Sequence, residues 1–141
     1  MRRAFRTARA FVIVLSALVC GACALLLVVS PVFRMGERYE VYYGDSSSSL
    51  MEKTDDPLAA KLAGGVVGES VRYTGDRYQE LKAAFSAREL FSEEACGVTN
   101  HYLYSPYLGA GVALKGYVVN LHIAVSAEET AAGTPLIFGG F

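Results

Sequence analysis

Ala10 to Val29 reads AFVIVLSALVCGACALLLVV, twenty residues without a charge, a Pro, an Asn or a Gln. As a helix rising about 1.5 Å per residue, the run reaches about 30 Å, the hydrocarbon thickness of a bilayer. A core helix of a soluble protein is shorter and rarely follows four unpaired arginines. Here Arg2, Arg3, Arg6 and Arg9 precede the run with no acid among them. Positive flanks stay on the cytoplasmic side, so the amino terminus is expected inside and residues 34–141 outside. Within the fifteen residues after the run only Arg34 and Arg38 are basic.

A retained signal anchor fits this length. Two alternatives process the run. Ala22-Cys23-Ala24 offers a small-x-small site for a signal peptidase, and Gly21-Ala22 before Cys23 suits a lipid-modified cysteine. Either would leave Leu25 to Val29 as an exposed apolar end.

The part after Phe33 carries nine Lys and Arg against all fourteen acids, a net charge of −5. An acidic surface is a poor match for a phosphate backbone, and no basic patch with interleaved aromatics occurs, so nucleic acid is excluded as a partner. Cys20 and Cys23 lie in the apolar run, which leaves Cys96 alone outside it. One cysteine forms no internal disulfide, and no zinc-finger spacing is present, so the domain rests on its core.

Ser30-Pro31 ends the helix. Tyr39-Glu40-Val41-Tyr42-Tyr43 has strand composition. Gly44 to Pro57 (GDSSSSLMEKTDDP) reads as a polar linker, and Leu58 to Leu62 as one or two helical turns stopped by Gly64-Gly65. Val66 to Tyr73 reads as a strand. Thr74 or Asp76 can then cap a helix whose Tyr78, Leu81 and Phe85 share one face. Arg88 and Glu89 spoil that face, which predicts a stop near Ser86. Residues 87–95 are left open between helix and strand. Val98 to Tyr104 and Tyr117 to Ser126 read as strands, the second with Val119, Leu121, Ile123 and Val125 on its buried side. Glu128 to Gly133 reads as a turn region and Pro135 to Phe138 as a last short strand.

The predicted fold class is α+β: a transmembrane helix, then a small two-layer domain with an antiparallel sheet and one main helix on one face. The predicted division is residues 1–33 as basic tail and anchor, 34–64 as juxtamembrane strand and Ser-rich linker, and 65–141 as the exported domain. Leu121, Ile123 and Val125 are expected against the Tyr78, Leu81 and Phe85 face, with Asn120 and His122 opposite. On that basis Ile123→Ala is expected to be far more damaging than His122→Ala.

Chemistry has few candidates. Gly44-Asp45-Ser46 has the form of a hydrolase nucleophile turn, but such enzymes need an Asp-x-x-His, and Val98 and Val119 stand at that spacing before His101 and His122. His101 and His122 are the two histidines, on strands that can be neighbours, with Cys96 or Glu93 in range. They allow a metal-dependent or hydrolytic envelope enzyme as the alternative reading. Asn120, inside an apolar strand, is expected to bond a neighbouring loop backbone. Tyr102, Tyr104 and Tyr107 suit sheet packing, or else an exposed recognition patch. The reading adopted assigns no catalytic residue, no cofactor and no metal ligand.

Tyr104-Ser105-Pro106-Tyr107-Leu108, Val119-Asn120-Leu121-His122-Ile123-Ala124 and Gly133-Thr134-Pro135-Leu136-Ile137 together resemble the end of the YwmB-type family of exported proteins of spore-forming bacteria. The resemblance covers residues 98–141. It implies a fold related to the TATA-box-binding protein, a bacterial cytoplasmic membrane, and a role linked to sporulation or the cell wall. It carries over no catalytic residue, and its fold name does not imply DNA binding. The expected function is a membrane-anchored, non-catalytic envelope interaction or structural module, held by residues 10–29, with an envelope protein as partner.

Overall fold

The computed structural model describes residues 2–44 and 50–138, with side chains from residue 9 onward. It divides into two units, one ending at Ser30 and one beginning at Pro31.

The first unit is α1 (Arg2–Val29). Its Arg9–Val29 stretch is the one helix among the described residues long and apolar enough to cross a membrane, and none of it is buried. Ser30 closes it, with both its N–H and its Oγ donating to the Leu26 carbonyl.

The second unit runs in order through β1 (Arg38–Tyr43), β2 (Leu50–Thr54), α2 (Pro57–Ala63), β3 (Gly68–Thr74), α3 (Tyr78–Ala84), β4 (Arg88–Ala95), β5 (Val98–Tyr104), β6 (Val112–Leu114), β7 (Tyr117–Val119), β8 (Leu121–Val125) and β9 (Glu129–Thr134). Seven strands form one sheet in the order β2-β1-β3-β9-β8-β5-β4, and every neighbouring pair is antiparallel. The class is α+β, as expected. Strands β6 and β7 form a separate hairpin.

Several elements follow directly from local chemistry. Pro57 starts α2, the Asp56 carboxylate accepts from the Ala59 N–H at 2.9 Å, and Gly64 ends the helix. Asp76 accepts from the Tyr78 N–H at 2.9 Å at the start of α3. α3 buries Tyr78 and Leu81 and stops at Phe85, so residues 88–95 are free to form a strand. The core joins Tyr78, Leu81 and Phe33 to Val71, Leu103, Leu121, Ile123 and Ala132 of the sheet, with Phe85 and Val125 packed against it. This is the helix face of the sheet.

Four expectations are corrected. The polar stretch before Pro57 contains β2, an edge strand held by backbone pairing to β1 and not by burial; Asp45 to Ser49 lie outside the described residues. A boundary between 64 and 65 has no counterpart, because β1 sits inside the sheet between β2 and β3 and the second unit begins at Pro31. Tyr117 to Ser126 is not one strand: it breaks at Asn120, leaving β7 in the hairpin and β8 in the main sheet.

The fourth correction concerns the carboxyl end. Glu129 to Thr134 is a strand, and a central one, while Pro135 to Phe138 is not a strand at all. Ala131, Ala132 and Gly133 lack β-branched side chains because both faces are covered there. A Cβ on Gly133 would come within 2.8 Å of Ile137 in the returning 135–138 segment. Phe138 closes edge-on against Tyr42 at 5.3 Å between centroids. The far face of the sheet is therefore covered by this segment and by the β6–β7 hairpin, whose Tyr117 ring lies 5.9 Å from that of Phe91. The Gly139 to Phe141 tail lies outside the described residues.

Candidate functional site

Strands β5 and β8 pair, as the metal reading requires, but their register separates the histidines. Tyr102 stands opposite His122, and His101 opposite Ile123. Directly opposed residues share a face and successive residues alternate, so His101 is on the helix face and His122 on the far face. The two imidazoles cannot hold one ion between them. Among the described residues no group of three or more His, Cys, Asp or Glu is placed to bind a metal. Cys96 is exposed in the β4–β5 turn.

On the helix face His101 stacks on the Tyr78 ring at 4.0 Å between centroids, and its Nδ1 lies 3.4 Å from Glu89 Oε1. Tyr78 donates its hydroxyl to Glu89 Oε2, and Lys82 Nζ stands 3.9 Å from the same oxygen. Burial pushes the Glu89 carboxyl up, but the bonds from Tyr78 and His101 outweigh it and hold the group below the ordinary range. Burial, followed by the bond to Glu89, drives the Tyr78 hydroxyl strongly up, so it stays a neutral donor. These groups tie α3 to β4 and β5, although the approach of His101 Nδ1 to Glu89 falls short of a well-aligned hydrogen bond.

On the far face Phe91, Tyr102 and His122 stack in a row across β4, β5 and β8, at 4.5 Å for each step. Lys115 Nζ caps the row 5.2 Å above Phe91 and pairs with Glu93. The Ile137 N–H donates to His122 Nδ1 at 3.3 Å. Nε2 must therefore carry the proton, which it donates to Asn100 Oδ1 at 3.1 Å. A second proton on Nδ1 would oppose the Ile137 N–H. Burial, with His101 adding to it, pulls His122 down to about 4.

This gives a pH prediction. The folded pKa of His122, about 4, lies below the ordinary 6.5. Above about pH 6.5 neither state binds the proton and stability is complete. As pH falls toward 4 the unfolded chain takes up a proton that the folded chain refuses, and about 3 kcal/mol is lost. Glu89 adds its own loss only below the ordinary glutamate range. Urea melts should show this slope between pH 6.5 and 5 in the native chain and not in His122→Gln. His122 is thus a buried residue held by hydrogen bonds on both ring nitrogens.

Of the three tyrosines, Tyr102 is inside the row, while Tyr104 and Tyr107 are exposed. Asn120 acts as expected: its Oδ1 accepts from the Ser105 N–H at 2.7 Å, and its Nδ2 donates to the carbonyls of Ser105 at 2.8 Å and Gly109 at 3.2 Å. The hydroxyls in best polar contact are closed off. Ser70 Oγ lies 2.6 Å from the Tyr42 hydroxyl and 3.3 Å from Glu40 Oε2, and all three residues are buried. Ser105 Oγ donates to the Phe85 carbonyl at 2.7 Å. Neither serine stands beside an imidazole base with room for a substrate. Asp45 and Ser46 of the nucleophile-like turn lie outside the described residues.

An open concavity lies elsewhere. A groove of about 420 Å³ lies between residues 32–35 and α3. Its floor is Phe33, Leu81 and Phe85, with the two phenyl rings edge-on at 5.5 Å. Its rim carries Arg34, Arg77 and Glu80. Glu69, a buried residue of β3 behind the groove, fixes the wall formed by Val32 and Phe33: it accepts from their N–H groups and pairs with Lys61 of α2. Tyr73 adds a hydroxyl that donates to the Arg34 carbonyl at 3.1 Å, and burial holds that hydroxyl up at about 12. The sequence gives no local sign of this groove, because its parts come from residues 32–35, 73 and 77–85. Its floor is apolar and its rim charged. No family model, no curated protein and no solved structure matches the chain.

Proposed function

We propose that the chain is a single-pass protein of a bacterial cytoplasmic membrane whose sheet domain lies outside the cytoplasm and works by binding, without catalysis. The observation that carries this reading is Arg9–Val29, an apolar helix of membrane-spanning length with none of its surface buried. Arg2, Arg3, Arg6 and Arg9 at its amino end, against Arg34 and Arg38 alone in the fifteen residues after it, support the orientation. The polar clusters on both faces of the sheet, closed on themselves, support a structural or interaction role in the envelope. The resemblance of residues 98–141 to the YwmB-type family adds a link to sporulation or the cell wall.

The test uses Cys96, which is exposed and lies outside the apolar helix. A membrane-impermeant maleimide applied to intact cells is expected to label the full chain, and Cys96→Ser to abolish most of the labelling. The chain should stay with the membranes through alkaline carbonate. Release by carbonate, or labelling only after lysis, overturns the anchor or its orientation respectively.

A further inference from the structure

We propose that the groove beside α3 binds an anionic phospholipid of the membrane that anchors the chain, its headgroup at Arg34 and the start of an acyl chain over Phe33, Leu81 and Phe85. The inference rests on the anchored reading. Its first support is chain length. Val32 in the groove wall follows Val29, the last residue of α1, by three positions. Three residues span at most about 10 Å, so an anchored chain cannot carry this wall far from the headgroups.

Charge is the second support. Arg77 is answered by Glu80 at 2.7 Å, whereas no carboxylate among the described residues pairs with the Arg34 guanidinium. The rim therefore has one positive charge in excess, above an apolar floor. A phosphate with acyl chains satisfies both, which neither a free anion nor a neutral apolar ligand does.

Third, Met35 projects from the same wall, 95% exposed and with a φ of +60°. A non-glycine residue held in the left-handed region, with its thioether bare, is unfavourable in water. Beside lipid the same side chain has apolar partners. The wall that presents it is fixed from behind by Glu69 and by Gly36, where a Cβ would run into Val71.

The experiment uses the full chain in nanodiscs of phosphatidylcholine with or without phosphatidylglycerol. The photoreactive residue p-benzoylphenylalanine is placed at Ala84, an exposed groove residue, or at Ala113 in the β6–β7 hairpin as control. Mass spectrometry after illumination is expected to find a phosphatidylglycerol adduct at position 84 and none at 113. Arg34→Gln should lower its yield about fivefold, the worth of about 1 kcal/mol for one basic residue near an anionic surface. Arg34 is exposed, and among the described residues its guanidinium pairs with no carboxylate, so the variant is expected to keep the fold.

Absence of the adduct at 84, equal recovery of both lipids, or no response to Arg34→Gln overturns the proposal. Peptide adducts at 84 in place of lipid adducts overturn it in favour of a protein occupant. Co-flotation with the nanodiscs separates the two readings. A chain that floats without the adduct refutes the groove alone, and a chain that does not float refutes the anchor and the groove together.

Discussion

Replacing Ile123 by alanine is expected to destabilise the sheet domain by about 2–5 kcal/mol, the usual cost of emptying a buried aliphatic site. Ile123 is fully buried in the middle of β8 and belongs to the core that contains Tyr78 and Leu81. It stands opposite His101 of β5 and Ala132 of β9. Neither neighbour can move to fill the hole. His101 is fixed by its stack on Tyr78, and Ala132 belongs to a strand pressed from both faces. The cost is a large fraction of the 5–15 kcal/mol that holds a typical domain folded. Urea melts of the full chain in mild detergent, followed by the near-ultraviolet dichroism of its nine tyrosines, will measure it. Val118→Ala is the internal control. Val118 is 54% exposed in the hairpin strand β7, so its truncation should stay within about 0.5 kcal/mol. Equal losses at the two positions would mean that Val118 is buried and would refute its exposed place in the hairpin.

The parts of this fold that can be read from the sequence are those whose signal is local. The apolar run, the Tyr78-Leu81-Phe85 face and the Val98 to Tyr104 strand each carry their own periodicity or composition. β9 carries none, because its position in the sheet selects for small side chains: Gly133 must leave room for Ile137, and Ala131 and Ala132 are closed on both sides. Alanine and glycine have low strand propensity, so a turn is the natural local reading. β2 escapes notice for the opposite reason, since an edge strand needs only backbone pairing and its side chains remain polar or exposed. The histidines show a third limit. Strand adjacency is legible, but a register shift of one residue moves a side chain to the other face, and no local pattern specifies that His122 opposes Tyr102. The groove is the extreme case, assembled from segments as far apart as Val32 and Phe85, the first of them fixed by Glu69 through backbone N–H groups.

Asn120 was legible as a bridging amide, and its removal is the second large effect expected. The residue is fully buried, between the hairpin strand β7 and the core strand β8. Its side chain bonds backbone groups of the 105–109 loop, most closely the Ser105 N–H, the Ser105 carbonyl and the Gly109 carbonyl, with the Leu108 carbonyl farther off at 3.5 Å. The Ser105 N–H can only donate, which fixes the amide oxygen on that side and the amide nitrogen toward the two carbonyls. Asn120→Ala leaves the Ser105 N–H and carbonyl buried without that partner, at about 1–3 kcal/mol each. The loss spreads, since Ser105 Oγ also holds the Phe85 carbonyl at the end of α3. Asn120→Asp sharpens the test because it is the same size. Its carboxylate still accepts from the Ser105 N–H, but the second oxygen faces two carbonyls in a site closed to water. At neutral pH it should therefore be at least as damaging as alanine. Protonation restores one donor, so as pH falls the aspartate variant should gain stability relative to Asn120→Ala, although His122 makes both lose stability in absolute terms. The difference between the two variants cancels the His122 contribution and isolates position 120. An aspartate variant that tracks the alanine variant at every pH, or an alanine variant as stable as the native chain, would mean that the loop holds its shape without this amide.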